Sequence, residues 1–159
     1  MTIRCPTCGH ESGGKRSHPD HARFFALVAA AFSHWPESEK FQPTDVENLR
    51  GYLLCRAGYC TKQDIVFDKS GLIGLESKRL ALTITAACRG ALLATGGRGY
   101  LNLSGDRVTL YVPKSISWGA LSQKDFGEIR DRVTSIIENI LAVTASELLE
   151  NEREPGQEG

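Results

Sequence analysis

Cys5-Pro-Thr-Cys8-Gly-His10 is the segment of this chain whose residue types and spacing most directly point to chemistry. Two thiolates on one tight turn can meet a single tetrahedral Zn2+ ion, and Cys5 and Cys8 supply half of such a site. A zinc ribbon would complete it with a second C-x-x-C about 15 to 20 residues on. This chain offers instead His10, His18 and His21 and then, far downstream, Cys55 and Cys60 at C-x4-C spacing. Zn2+ is therefore the candidate cofactor, with a reduced, metal-free knuckle as the alternative. The cysteines number five, an odd count that suits thiols or metal ligands better than a disulfide framework.

A second group is cationic. Lys15-Arg16-Ser17 and then Arg23 lie where an apolar periodic segment begins at Phe24-Phe25. Cationic side chains, a hydroxyl and the free N–H groups of a helix N-terminus together favour phosphate oxygens. A third segment, Val112-Pro113-Lys114-Ser115-Ile116-Ser117-Trp118, places a cation and a flat apolar ring in one connection. Lys15, Arg16, Ser17, Arg23, Lys114 and Trp118 are thus the candidate nucleic-acid-binding residues, the cations for phosphates and Trp118 for a base. The competing reading is a capped helix with a solvated basic turn, Trp118 closing the edge of the core. No G-x-S-x-G, H-E-x-x-H, Walker loop or dinucleotide fingerprint occurs, and Gly96-Gly97-Arg98-Gly99 lacks the lysine and following helix of a phosphate loop. The expectation is a protein that binds and is not an enzyme.

The elements that must position these groups follow from periodicity. Phe24, Leu27, Val28, Ala31, Phe32 and Trp35 recur at helical spacing from Asp20 until Pro36 stops them. Thr44 and Glu47 have the T-x-x-E form of a capping box, predicting a second helix that carries Val46, Leu49, Leu53 and Leu54 inward and ends at Gly58. Ile65-Val66-Phe67, within Thr61 to Asp68, reads as a short strand. Ser77 to Thr95 reads as a helix through Leu80, Ile84, Ala87, Cys88, Ala91 and Leu92, closed by Gly96-Gly97. Tyr100 to Leu103 and Arg107 to Val112 flank Ser104-Gly105-Asp106 as a hairpin. Ser122, with Asp125 three positions on, opens a long helix whose stripe runs from Phe126 to Leu148. The fold class expected is α+β: one small domain of about four helices, a short antiparallel hairpin or sheet, and a long C-terminal helix. Residues 1–16 are expected as a cysteine-bearing extension, 17–151 as the domain and 152–159 as a disordered tail.

The net charge of zero conceals a split: residues 1–118 carry 15 Lys+Arg against 10 Asp+Glu, and residues 119–159 carry 4 against 9. The basic portion suits an anionic partner, whereas an acidic chain end is ordinarily a solvated helix face. No run approaches the roughly 18 apolar residues of a membrane span. The N-terminus lacks the apolar stretch of a secretory signal, so the location expected is cytoplasmic, without a membrane partner.

Three blocks, Lys15 to Pro36 (K-R-S…H-x-R-F-F…W-P), Leu49 to Tyr59 and Val112 to Leu141 (V-P-K-S-I-S and an amphipathic helix), resemble in order a family of uncharacterised phage and prophage proteins. More distantly, Arg16-Ser17 with Arg23-Phe24-Phe25, and Ser115-Ile116-Ser117 with Phe126, are similar to segments of the lambda Orf type of recombination mediator. That resemblance implies single-stranded DNA binding in recombination or replication. The alternative is a protein-interaction module, such as a phage-encoded anti-CRISPR-like inhibitor of a host nuclease or defence complex. The partners expected are accordingly single-stranded DNA or a host or phage protein complex, the chain acting alone or as a homodimer.

The knuckle reading has a direct check. Purified protein is expected to carry up to one equivalent of zinc by elemental analysis, and the Cys5→Ser, Cys8→Ser variant to carry none. Equal, negligible zinc in both would remove Zn2+ from the account.

Overall fold

The structure, a computed structural model, describes residues 3–4, 11–12, 18–66, 77–94, 98–104, 107–117 and 120–153. Its elements in chain order are β1 (Ile3–Arg4), β2 (Glu11–Ser12), α1 (His18–Ser33), α2 (Val46–Arg56), β3 (Cys60–Val66), α3 (Ser77–Ala94), β4 (Tyr100–Ser104), β5 (Arg107–Pro113), α4 (Gln123–Leu141) and α5 (Ala145–Asn151). The α+β class is as expected. Strands β3, β5 and β4 form an antiparallel sheet in that order, and β1 and β2 pair separately. No helix among the described residues is long and apolar enough to cross a membrane.

The helical stripes read in the sequence meet in one core. Phe24, Leu27, Val28 and Ala31 of α1, Leu49 and Leu53 of α2, Phe126, Ile129, Val133 and Ile137 of α4, and Leu148 of α5 are buried together. Burying a side chain of the Leu or Phe class contributes roughly 1.5–3 kcal/mol, so this cluster dominates the favourable side of folding.

The sheet joins that core through its central strand. Tyr111 of β5 faces Lys62 of β3 and Tyr100 of β4, while Leu110 faces Gln63 and Leu101. Side chains alternate along a strand, so these two rows point to opposite faces. On the apolar face Val108 packs with Ile84 and Cys88 of α3, and Leu101 joins them. The other face meets α2 through a ladder of rings. Phe41 stacks on Tyr52 at 3.9 Å, Tyr52 meets Tyr100 edge-on at 5.2 Å, and Tyr100 stacks on Tyr111 at 4.6 Å. Each such pair contributes about 0.5–1.5 kcal/mol beyond its buried area. Burial, and then the neighbouring Tyr111, push the Tyr100 phenol up to about 12.

Three sequence expectations need correction. The cap of α2 is Asp45, not Thr44: the Asn48 N–H donates to Asp45 Oδ1 at 2.8 Å, and Asn48 Oδ1 accepts from the Thr44 N–H at 3.2 Å. Asp and Asn cap at least as well as Thr, so the reciprocal pair forms one residue later and leaves Glu47 free for another partner. Strand β3 is longer than the apolar triplet suggested, because at the edge of the sheet Thr61, Lys62, Gln63 and Asp64 can pair on one side and stay exposed. The last helix is broken in two, at the point where the sequence stripe from Phe126 to Leu148 reads as continuous.

That break lies at Ala142, which adopts a left-handed conformation with φ of 55°. Thr144 then starts a new capping box. Its N–H and hydroxyl donate to Glu147 Oε2 at 2.9 and 2.7 Å, and the Glu147 N–H donates back to Thr144 Oγ1 at 3.3 Å. These bonds hold the Glu147 carboxyl below its usual range. A lowered folded-state value means that this contribution is complete above the ordinary carboxylate range and lost as pH falls through the lowered value. A left-handed L-residue costs roughly 1–2 kcal/mol. Ala142→Gly is therefore expected to raise stability in urea unfolding by about 1 kcal/mol, and Thr144→Ala to lower it by about 1 kcal/mol. A loss from both substitutions would contradict the break.

Candidate nucleic-acid interface

Glu47, Arg50, Gly51 and Leu54 fall at i, i+3, i+4 and i+7 on α2, a spacing that puts them on one side of the helix. They form one wall of a cavity of about 470 Å³. His21 and Phe25 of α1, Arg98 ahead of β4, and the segment Val112 to Ser117 leaving β5 close the rest. Buried Ile116 anchors that segment in the helical core, and the flanking Lys114, Ser115 and Ser117 are exposed.

The cavity wall depends on a close approach. A Cβ on Gly51 would lie 2.5 Å from the Arg98 carbonyl oxygen and 3.3 Å from Pro113 Cγ, so only glycine lets α2 approach the sheet this closely. The end of α2 fixes the other wall. Gly58, with φ of 85°, reverses the chain; the Tyr59 N–H reaches the Leu54 carbonyl at 2.9 Å and the Gly58 N–H the Cys55 carbonyl at 3.0 Å. This is a Schellman termination, and it presents Tyr59 to the Lys114 segment. The Lys114 N–H donates to the Tyr59 carbonyl at 3.2 Å, and the Tyr59 hydroxyl donates to the Ser115 carbonyl at 3.1 Å. The Lys114 ammonium lies 5.8 Å from the Tyr59 ring.

Arg50, Arg98 and Lys114 place three cations around this space against the single carboxylate of Glu47. Arg50 is the most fixed of them, paired with Glu47 and stacked 5.0 Å from the centre of the Phe25 ring. His21 packs edge-on against Phe25 at 4.8 Å and Phe126 at 5.4 Å. One fixed guanidinium, an exposed one, an exposed ammonium and serine hydroxyls make a receptor suited to phosphate oxygens.

Of the residues singled out in the sequence, Lys114 lies in this cavity. Arg23 does not: two positions beyond His21 on α1, it faces the opposite way. There it lines one hollow with Asp20, Arg130 and Asp131 and another with Glu150, Glu152 and Arg153. In that mixed-charge setting Arg130 bonds Asp131 at 2.8 Å and lies 3.5 Å from Asp20. Lys15, Arg16, Ser17 and Trp118 lie outside the described residues, as do Cys5 and Cys8. The β1–β2 pairing joins Arg4 to Glu11 and so brings together the two ends of the segment that holds the knuckle cysteines. No group of three or more metal-ligating side chains occurs among the described residues.

Sequence reasoning missed Arg50, Gly51 and Arg98. The signal for the first two is the E-x-x-R-G-x-x-L stripe of α2, hidden because Glu47 also completes a T-x-x-E cap pattern. Arg98 stands in the glycine-rich run Gly96-Gly97-Arg98-Gly99, which fits no phosphate-loop pattern and carries no other local signal.

The close approach at Gly51 sets two glycines against each other. Alanine is favoured over glycine in a helix by up to about 1 kcal/mol, and nothing lies within 4 Å of a Cβ on Gly90 in α3. Gly90→Ala is therefore expected to stabilise, whereas Gly51→Ala is expected to destabilise by about 1–3 kcal/mol in urea unfolding because its Cβ must displace backbone. Equal effects would show that Gly51 is not a contact point. The chain matches no protein family, no curated protein and no solved structure.

Proposed function

We propose that this protein is a non-catalytic, phage-type accessory factor that binds single-stranded DNA in recombination or replication. The observation that carries the reading is the convergence of Arg50, Arg98 and Lys114 with Ser115 and Ser117 around one concave space. A flexible strand can lead a phosphate into a cavity, which a stiff duplex cannot follow; grooves that track the backbone of single strands combine such cations with rings. The resemblance of Arg16-Ser17 and Ser115-Ile116-Ser117 to segments of phage recombination mediators supports the same reading. Trp118 follows Ser117 directly and is assigned to stacking on a base. Lys15, Arg16 and Ser17 precede α1, whose His21 and Phe25 line the cavity, and are assigned to phosphates beside it.

Binding of a fluorescein-labelled oligothymidylate, followed by anisotropy over a series of salt concentrations, tests this. Affinity is expected to fall with salt by roughly 0.7 log units per log unit of salt for each phosphate neutralised. Lys114→Ala and Arg98→Ala, both at exposed side chains, should weaken binding and flatten that slope by about one contact each. Arg23→Ala, on the opposite side of α1, should change neither by comparable amounts. Trp118→Ala should cost roughly 1–3 kcal/mol of affinity with the slope unchanged. No binding by folded wild-type protein at low salt would overturn the proposal and favour the protein-interaction reading.

A further inference from the structure

Cys55 and Cys60 are two thiols that the DNA-binding reading leaves unused, and the end of α2 brings them together. The Schellman turn at Gly58 folds the chain back within four intervening residues, so Cys60, the first residue of β3, returns over the last turn of the helix. Its Sγ lies 3.8 Å from the Cys55 carbonyl oxygen, to which the Cys60 thiol donates. Both cysteines carry free thiols. They differ in access, Cys55 being buried and Cys60 only half-buried.

We propose that Cys55 and Cys60 form a reversible dithiol–disulfide pair, a modification site for small-molecule disulfides of the glutathione class. The half-buried Cys60 reacts first. Its thiolate attacks one sulfur of the oxidised reagent, the reagent's S–S bond breaks, and one thiol leaves after taking up a proton. Cys60 is then held as a mixed disulfide. Cys55 gives its proton to water and attacks Cys60 Sγ; the mixed bond breaks and the second reagent thiol leaves. The two cysteines together lose two electrons and two protons, and the reagent disulfide gains both. Burial, with the neighbouring Cys60, pushes the Cys55 thiol up to about 12, which disfavours Cys55 as the first nucleophile. Exchange needs an accessible thiolate, so the half-buried Cys60 reacts before the buried Cys55. Tyr59, between the cysteines, is bonded through its backbone to Lys114 and through its hydroxyl to Ser115, so the pair adjoins the wall of the basic cavity.

The chain reports on this pair readily. Trypsin cleaves after Arg50, Arg56 and Lys62, placing Cys55 in peptide 51–56 and Cys60 in peptide 57–62, with Cys5, Cys8 and Cys88 elsewhere. Reduced full-length protein is equilibrated in buffers of increasing oxidised-to-reduced glutathione ratio, quenched with acid and N-ethylmaleimide, digested without reductant and analysed by mass spectrometry. The expected result is one linked 51–56/57–62 species that grows with the ratio and disappears on adding dithiothreitol. Cys55→Ser should instead trap peptide 57–62 as its glutathione adduct, and Cys60→Ser should leave peptide 51–56 unmodified. Two results would overturn the proposal. One is a stable glutathione adduct on 57–62 in the wild-type chain with Cys55 still free. The other is that both peptides remain reduced when the peptide carrying Cys5 and Cys8 is fully oxidised.

Discussion

Helix α2 approaches the sheet so closely at Gly51 that a single methyl group there would stand 2.5 Å from the Arg98 carbonyl. Most other features of the molecule can be traced to that approach. It draws the helical core, to which α2 contributes Leu49 and Leu53, against the β3-β5-β4 sheet. The ring ladder from Phe41 through Tyr52 and Tyr100 to Tyr111 covers the same junction. Beside it lies the cavity, whose walls are the outer stripe of α2 and the chain leaving β5. Protein interiors transmit strain because they are close-packed, so a change at the junction is felt in the cavity.

The electrostatics follow from the same placement. Arg50 is held by Glu47 and by the Phe25 ring, so its guanidinium is oriented in advance, while exposed Lys114 remains free to follow a ligand. A fixed planar cation and a mobile one make different contributions: the first sets geometry, the second neutralises charge. Across the molecule, α4 and α5 carry the acidic excess, and Arg23 is drawn into mixed-charge hollows there. The cavity with its three cations and these mixed-charge hollows thus lie on different sides of α1.

Much of this fold was legible in the sequence, for identifiable reasons. The stripes of α1 and α4 are long and strongly periodic, and Gly58 marks the end of α2 because a left-handed residue is needed there. The β4–β5 hairpin announces itself through Gly105-Asp106 between alternating runs. What was not legible concerns competition between similar local signals. Thr44 and Asp45 both can cap, and the geometry selects Asp45. Ala142 carries no glycine signature, so the break before Thr144 is marked only by the T-x-x-E pattern that follows. Lys114 was legible as a candidate residue, whereas its meeting with Arg50 and Arg98 around one cavity required knowledge of which strand α2 packs against. That long-range fact is written in no local motif.

The central claim is that the space between Gly51, Arg98 and Lys114 receives the DNA strand. Its most direct test is a titration of uniformly 15N-labelled protein with an oligothymidylate, read by amide chemical shifts. The account predicts the largest shifts at Gly51, Arg98 and Lys114 to Ser117, with little change along α5. Shifts confined to α5 and its groove with α1, or none at saturating oligonucleotide, would contradict it.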